Sequence, residues 1–153
     1  MERTLIILKP DTLHRNLVGR ILTRFEDKGL RITALRMQWS SREQVERHYE
    51  VHRGKPFYDG LVEFMTAGPV ILAVLEGPQA ITVVRNLLGA TDGRKAAPGT
   101  IRGDFGLDQR MNLVHASDGP ETAKTEIELF FRPDEIVTYE RATDRWVARP
   151  DGI

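Results

Sequence analysis

The chain has 153 residues, enough for one domain (residues 1–153) with a sizeable hydrophobic core. Lys plus Arg and Asp plus Glu each number 22, and a chain of zero formal charge is not built for bulk electrostatic capture of DNA, RNA or an anionic membrane. There is no cysteine, which excludes disulfides, thiolate catalysis and Cys-based zinc sites, and no apolar run approaches the ~20 residues that span a bilayer. Met1-Glu2-Arg3-Thr4 leads straight into a strand-like run without signal-peptide architecture, so the expected compartment is the cytoplasm.

In chain order, Leu5-Ile6-Ile7-Leu8 reads as a buried strand that stops at Lys9-Pro10-Asp11. Apolar residues at 17, 18, 21, 22 and 25 have helical spacing and Gly29 terminates them. Leu30 to Trp39 alternates and is expected to be a strand. Ser40 with Glu43 forms a capping-box pattern that starts a helix from about Ser41 to Val51. A short helix is expected over Tyr58 to Thr66, a second buried strand over Val70 to Leu75, and a helix from Gln79 to Leu88 that ends at Gly89. Ala90 to Arg110 is rich in Gly and Pro, without periodicity, and loops of that length inside a domain usually carry function. Leu113-Val114 reads as a short strand, and Pro120 to Phe131 as a helix with Pro in its first turn. The order fits a ferredoxin-like β-α-β-β-α-β sandwich of the α+β class: one four-stranded antiparallel sheet with helices on one face. Arg149 to Ile153 are expected to be loosely ordered.

His115 lies where the last strand gives way to a helix. Imidazole is the side chain best suited to nucleophilic attack near neutral pH, provided its second ring nitrogen is held. Glu126 on the following helix is a candidate holder, and Ser117 could orient the pair. An isolated histidine at a strand end is nevertheless more often a hydrogen-bonded core residue. A serine-hydrolase reading of His115, Ser117 and Asp118 fails, because triad members converge from separate segments and no G-x-S-x-G elbow is present.

Phosphoryl transfer would need placed cations and donors around such a nucleophile. Lys9, Arg85 and Arg102 supply the charge, Thr91 a hydroxyl and Asn112 an amide, if the fold brings them together. Gly89 to Lys95 lacks the G-x-x-x-x-G-K-[ST] spacing of a P-loop. His48 and His52, one helical turn apart, could pair on a metal, but the segment is not H-E-x-x-H, has no evident third ligand and reads as a solvated face. Phe57 follows Lys55-Pro56 and is either a local core plug or a base-stacking ring.

Together these residues resemble the nucleoside diphosphate kinase family over nearly the whole chain, from Glu2 to about Trp146. The family signature N-x-x-H-x-S-D stands as Asn112 to Asp118, flanked by Lys9-Pro10-Asp11, Leu17-Val18-Gly19, His48-Tyr49, Lys55-Pro56-Phe57, Gly60-Leu61, Ala67-Gly68-Pro69, Pro98 to Phe105 and Glu126-Ile127. The resemblance implies a ping-pong reaction. A nucleoside triphosphate would phosphorylate His115 and a nucleoside diphosphate would take the group, so that ATP, GTP, ADP and GDP would all serve. Mg2+ would be held mainly by the nucleotide's own phosphates, with no protein metal site. Lys9, Arg85, Thr91, Arg102 and Asn112 would contact phosphates and ribose. Tyr49 would lie near the histidine, Glu126 and Ser117 would orient it, and Phe57 with Leu61 would stack the base. A homo-oligomer is implied, and the extension through Trp146 favours a hexamer over a tetramer.

The chain departs from the family pattern at Thr12 and Asn16, where glycine is common and local turn changes are expected. Asp92-Gly93 replaces Asn-Pro in an interface loop, Gln109 replaces a small apolar residue opposite the base, and Ala116 replaces glycine. Two other readings are a non-catalytic nucleotide- or RNA-binding module and a structural oligomer. The first is disfavoured by central strands that carry no aromatic residue and by the zero charge, and the second leaves the histidine stretch unexplained.

Overall fold

Four apolar residues in a row cannot all face one core, and here they serve two. In the computed structural model, which describes residues 1–150, strand β1 (Glu2–Leu8) lies inside the sheet with helices against both faces. Ile6 and Leu8 pack on one side with Leu17, Ile21 and Phe25 of the segment entering and forming α2 (Val18–Lys28), and with Val84 and Leu88 of α5 (Ala80–Leu88). Leu5 and Ile7 pack on the other with Val45 of α3 (Arg42–His48), Val62 and Met65 of α4 (Tyr58–Thr66), and Phe130 of α7 (Pro120–Phe130). The expectation of helices on a single face is corrected by this double burial, which period-2 patterning alone does not reveal in an unbroken apolar run.

The sheet is antiparallel throughout, in the order β2-β3-β1-β4, with β2 spanning Arg31–Gln38, β3 Val70–Gly77 and β4 Val114–Ala116. This is the ferredoxin-like α+β arrangement. Gly29 closes α2 in the left-handed conformation at φ 103°. Residues 151–153, part of the C-terminal stretch expected to be loose, lie outside the described residues.

Two short helices escaped the sequence reading because five residues hold too few turns to show a period. Helix α1 (Pro10–His14) begins on Pro10, and α6 (Ile101–Phe105) is capped by Thr100, whose hydroxyl accepts from Gly103 N–H. The last helix, α8 (Asp144–Val147), ties the C-terminal segment to β2 through Asp144 and Arg31 at 2.6 Å. The long loop from 90 to 110 is held by its own carboxylates: Asp92 grips Arg94 and Asp104 accepts from Gly99 N–H and Arg24. At the departures from the family pattern, Asn16 keeps a glycine-like left-handed φ of 57°, whereas Thr12 is fully buried and donates to Leu113 O at 2.6 Å.

Candidate active site

Strand β4 is short because the chain makes a tight turn just before it. Val114 N–H donates to Asn112 O at 2.9 Å, two residues back, which puts Leu113 at φ 75°. A γ-turn of this sense is rare and strained for a side chain as large as leucine. Its surroundings fix it. Leu113 O accepts from Lys9 N–H and Thr12 Oγ1, Leu113 N–H donates to Asp11 Oδ2, and the Arg102 guanidinium bridges Asn112 O and Val114 O. The turn delivers His115 opposite Ile7 of β1, its side chain 22% exposed.

The imidazole is held from one side. Its Nε2 lies 2.7 Å from Glu126 Oε2 on α7, while Glu126 Oε1 accepts from Ser117 Oγ at 2.6 Å. Ser117 Oγ in turn accepts from Leu5 N–H, so the chain of bonds is anchored in the central strand. Burial pushes the Glu126 carboxyl up, but the hydrogen bond and charge of His115, then Ser117, outweigh it and hold the net value below the usual carboxylate range. An ionised Glu126 accepts only, so Nε2 carries the proton and Nδ1 keeps its lone pair. Among the described residues nothing hydrogen-bonds to Nδ1.

His48 is the feature the sequence reading missed. It was expected on a solvated face; its side chain is 2% exposed, edge-on to His115 with ring centroids 4.6 Å apart, and its Nδ1 is 3.5 Å from Glu126 Oε2. Helix α3 turns this residue toward α7, where it also meets Phe130, while His52 lies beyond the end of that helix against Tyr49 and Phe57. The signal that could have found it is Val45 and Tyr49, which mark the buried face that His48 shares. Burial, then the charge of His115, drives the His48 pKa down to about 3, so it is neutral at physiological pH. His48, His115 and Glu126 place ligand atoms within 4.8 Å of one another. That donor set is two imidazoles and one carboxylate, without the oxygen shell that Mg2+ demands.

A cavity of about 750 Å³, in the range of small-molecule sites, is linked to this cluster through Lys9, whose charge reaches His48. Lys9, Thr91 and Asn112 line it together with Phe57, Leu61, Gln109 and Arg110. Lys9 is buried and donates to Asn112 Oδ1 at 2.8 Å; burial, then the Arg102 charge, lowers its pKa to about 8. Asn112 spends both amide protons on Thr91 O and Gln109 O, so its oxygen alone still has acceptor capacity. Arg102 is likewise buried, its Nε, Nη1 and Nη2 each donate to one backbone carbonyl, and burial with the neighbouring Arg85 lowers its pKa to about 10. Arg85 reaches Ala116 O from an exposed position on α5. Tyr49 is buried with its edge toward His115, 6.5 Å between centroids, and its hydroxyl has no hydrogen-bond partner among the described residues. Phe57 is 43% exposed at the start of α4, with Leu61 on the next turn. The structure therefore gathers His115, Glu126, Ser117 and Tyr49 into one cluster, and puts Lys9, Asn112, Thr91, Phe57 and Leu61 along one slot.

The nucleoside diphosphate kinase family profile matches residues 2–136. A nucleoside diphosphate kinase of Thermomicrobium roseum is 56% identical over 147 residues, covering 96% of this chain and 99% of its own. That of Archaeoglobus fulgidus is 55% identical over 147 residues, with 96% and 97% covered. The chain belongs to the nucleoside diphosphate kinase family. Its fold agrees: the halophilic nucleoside diphosphate kinase of Halobacterium salinarum, solved in complex with CDP, superposes with a TM-score of 0.94 at 47% identity, covering 97% of this chain and 99% of that one. Like the rest of its family, this chain is a phosphotransferase.

The buried ionisable groups of this kinase give two tests. With its folded pKa lowered, Lys9 carries a burial penalty that is fully present below pH 8 and disappears as pH rises to 10.5. Lys9→Met is therefore expected to gain about 3 kcal/mol more in stability at pH 7 than above pH 10.5, measured by denaturant midpoints, while kcat/KM falls on the order of a hundredfold. His48 is faced by His115 on β4, Glu126 on α7, Lys9 and His52. Its folded pKa is also depressed, so stability drains as pH falls from 6.5 toward 3. His48→Phe should remove about 3 kcal/mol of that loss at pH 4, and an unchanged acid profile would show that His48 is not the buried base described.

Proposed function

We propose that His115 Nδ1 is the nucleophile of the kinase reaction. The observation that supports this is the bond chain Leu5–Ser117–Glu126–His115, which engages Nε2 and leaves Nδ1 open. In the first half-reaction Nδ1 attacks the γ-phosphorus of a nucleoside triphosphate. The N–P bond forms as the bond to the β–γ bridging oxygen breaks, and the diphosphate leaves. In the second, a β-phosphate oxygen of another nucleoside diphosphate takes the group and the N–P electron pair returns to Nδ1. Glu126 stabilises the proton on Nε2 while the ring becomes cationic.

Lys9, Arg85, Arg102 and the Thr91 hydroxyl are assigned to the phosphates. Lys9 Nζ and Asn112 Oδ1 face the ribose, and the Tyr49 hydroxyl is held in reserve for the phosphoryl oxygens. Phe57 stacks the base with Leu61 beside it, which accepts any base because every base has a π-face. Mg2+ would enter with the nucleotide as its counter-ion, since the clustered His48, His115 and Glu126 offer two imidazoles and one carboxylate instead of an oxygen shell. Substrates are nucleoside di- and triphosphates. Among the described residues no helix is long and apolar enough to cross a membrane, and we assign the enzyme to the cytoplasm.

Self-association fits the outermost strand of the sheet. Strand β2 exposes Leu35 and Met37, and Trp39 follows just beyond it, an apolar row at the edge of the sheet. The C-terminal segment that carries α8 lies across β2, with Tyr139 donating to Ile32 O, and resembles longer family members, which favours a hexamer. Sedimentation equilibrium is expected to give about six times the 17.4 kDa chain mass; a monomer would refute the assignment. Incubation with γ-labelled ATP should give acid-labile, base-stable labelled protein, and His115→Ala should abolish the label with the circular dichroism unchanged. Label that survives this substitution would remove His115 from the reaction.

A further inference from the structure

The slot is lined by a cation that the reaction does not use. Arg110 is exposed, and its guanidinium forms no ion pair or side-chain hydrogen bond among the described residues. Its backbone is fixed, because the N–H groups of Arg110 and Met111 both donate to Asp108 Oδ2 at 2.9 Å. The side chain crosses the slot to α4 and lies on the bare backbone of Gly60, in the turn that carries Phe57 and Leu61. A Cβ at Gly60 would stand 2.6 Å from Nη1 and 3.0 Å from Cζ and Nη2. The missing side chain at Gly60 is thus the seat of the guanidinium, beside the ring assigned to stack the base.

We propose that Arg110 reads the edge of the base and makes this kinase prefer 6-oxopurine nucleotides. A guanidinium fork matches the O6 and N7 acceptors of guanine and hypoxanthine. Adenine sets an amino group where O6 would be, so one of the two bonds is lost and a donor faces a donor. Stacking on Phe57 tolerates all bases, and Arg110 adds discrimination on top of it. The buried phosphate cations are placed otherwise, since Lys9 is bonded to Asn112 and Arg102 is tied to the backbone carbonyls of residues 89, 112 and 114.

This inference rests on the nucleotide reading of the slot. The test uses the full-length phosphoenzyme made from ATP, mixed rapidly with GDP, IDP or ADP, and follows loss of phosphohistidine. The expected second-order rate constants for GDP and IDP are similar and about tenfold above that for ADP. Arg110→Ala should bring the GDP:ADP ratio to within about twofold of one, and Gly60→Ala, which takes away the seat and leaves the charge, should lower it as well. The proposal is overturned by a wild-type ratio near one, by a ratio that survives Arg110→Ala, by equal slowing of all three nucleotides, or by IDP behaving as ADP. A chain that forms no phosphoenzyme overturns the kinase mechanism together with it, whereas phosphoenzyme without base discrimination overturns this inference alone.

Discussion

The hydrogen bond between His115 Nε2 and Glu126 is the contact on which the site depends. An imidazole free to rotate could present either nitrogen in either protonation state. A carboxylate committed to one side decides both questions, because it can only accept. Glu126 is itself oriented by Ser117, and Ser117 is bonded to the backbone of Leu5 in the most buried part of the sheet. The orientation of the nucleophile is therefore set by the hydrophobic core: moving Nδ1 would require moving β1, and both helical layers rest on β1. His48 closes the remaining side of the ring as a neutral aromatic wall, so the charge near the imidazole comes from Glu126 and from the cations of the slot.

Around this contact the fold stores energy in charge and in backbone. Lys9 and Arg102 are buried, and both are less basic than free side chains. Leu113 is held at a positive φ by five hydrogen bonds from two separate segments, residues 9–12 and Arg102. Both features destabilise the empty protein, and the buried charges become favourable when an anion enters a slot whose donors are already aimed. Arg102 shows how closely the two are joined, since the guanidinium expected at the phosphates also straps the turn that presents His115.

Much of this was legible in the amino-acid sequence. The strand Leu5–Leu8, the helix after Leu17 with its Gly29 stop, and the placement of Glu126 and Ser117 beside His115 followed from spacing and side-chain chemistry. The placement of helices on both faces did not, because an unbroken run such as Leu5-Ile6-Ile7-Leu8 hides which residue faces which core. His48 was misread because two histidines four apart with arginines nearby look solvated, and only the tertiary packing of α3 against α7 buries one of them. The strained turn at Leu113 has no local sequence signal at all: leucine is a poor residue for positive φ, and the bonds that hold it there come from residues 9 to 12 and from Arg102. Arg110 was passed over because its significance lies in what Gly60, fifty residues earlier in the chain, lacks.

The most direct measurement is the position of the phosphoryl group on the ring. Protein labelled with ¹⁵N at histidine and phosphorylated from ATP would be examined by NMR for phosphorus–nitrogen coupling at His115. The account predicts that phosphorus is bonded to Nδ1 while Nε2 retains its proton and its bond to Glu126. Phosphorus on Nε2 would contradict it, because that nitrogen is the one the fold holds.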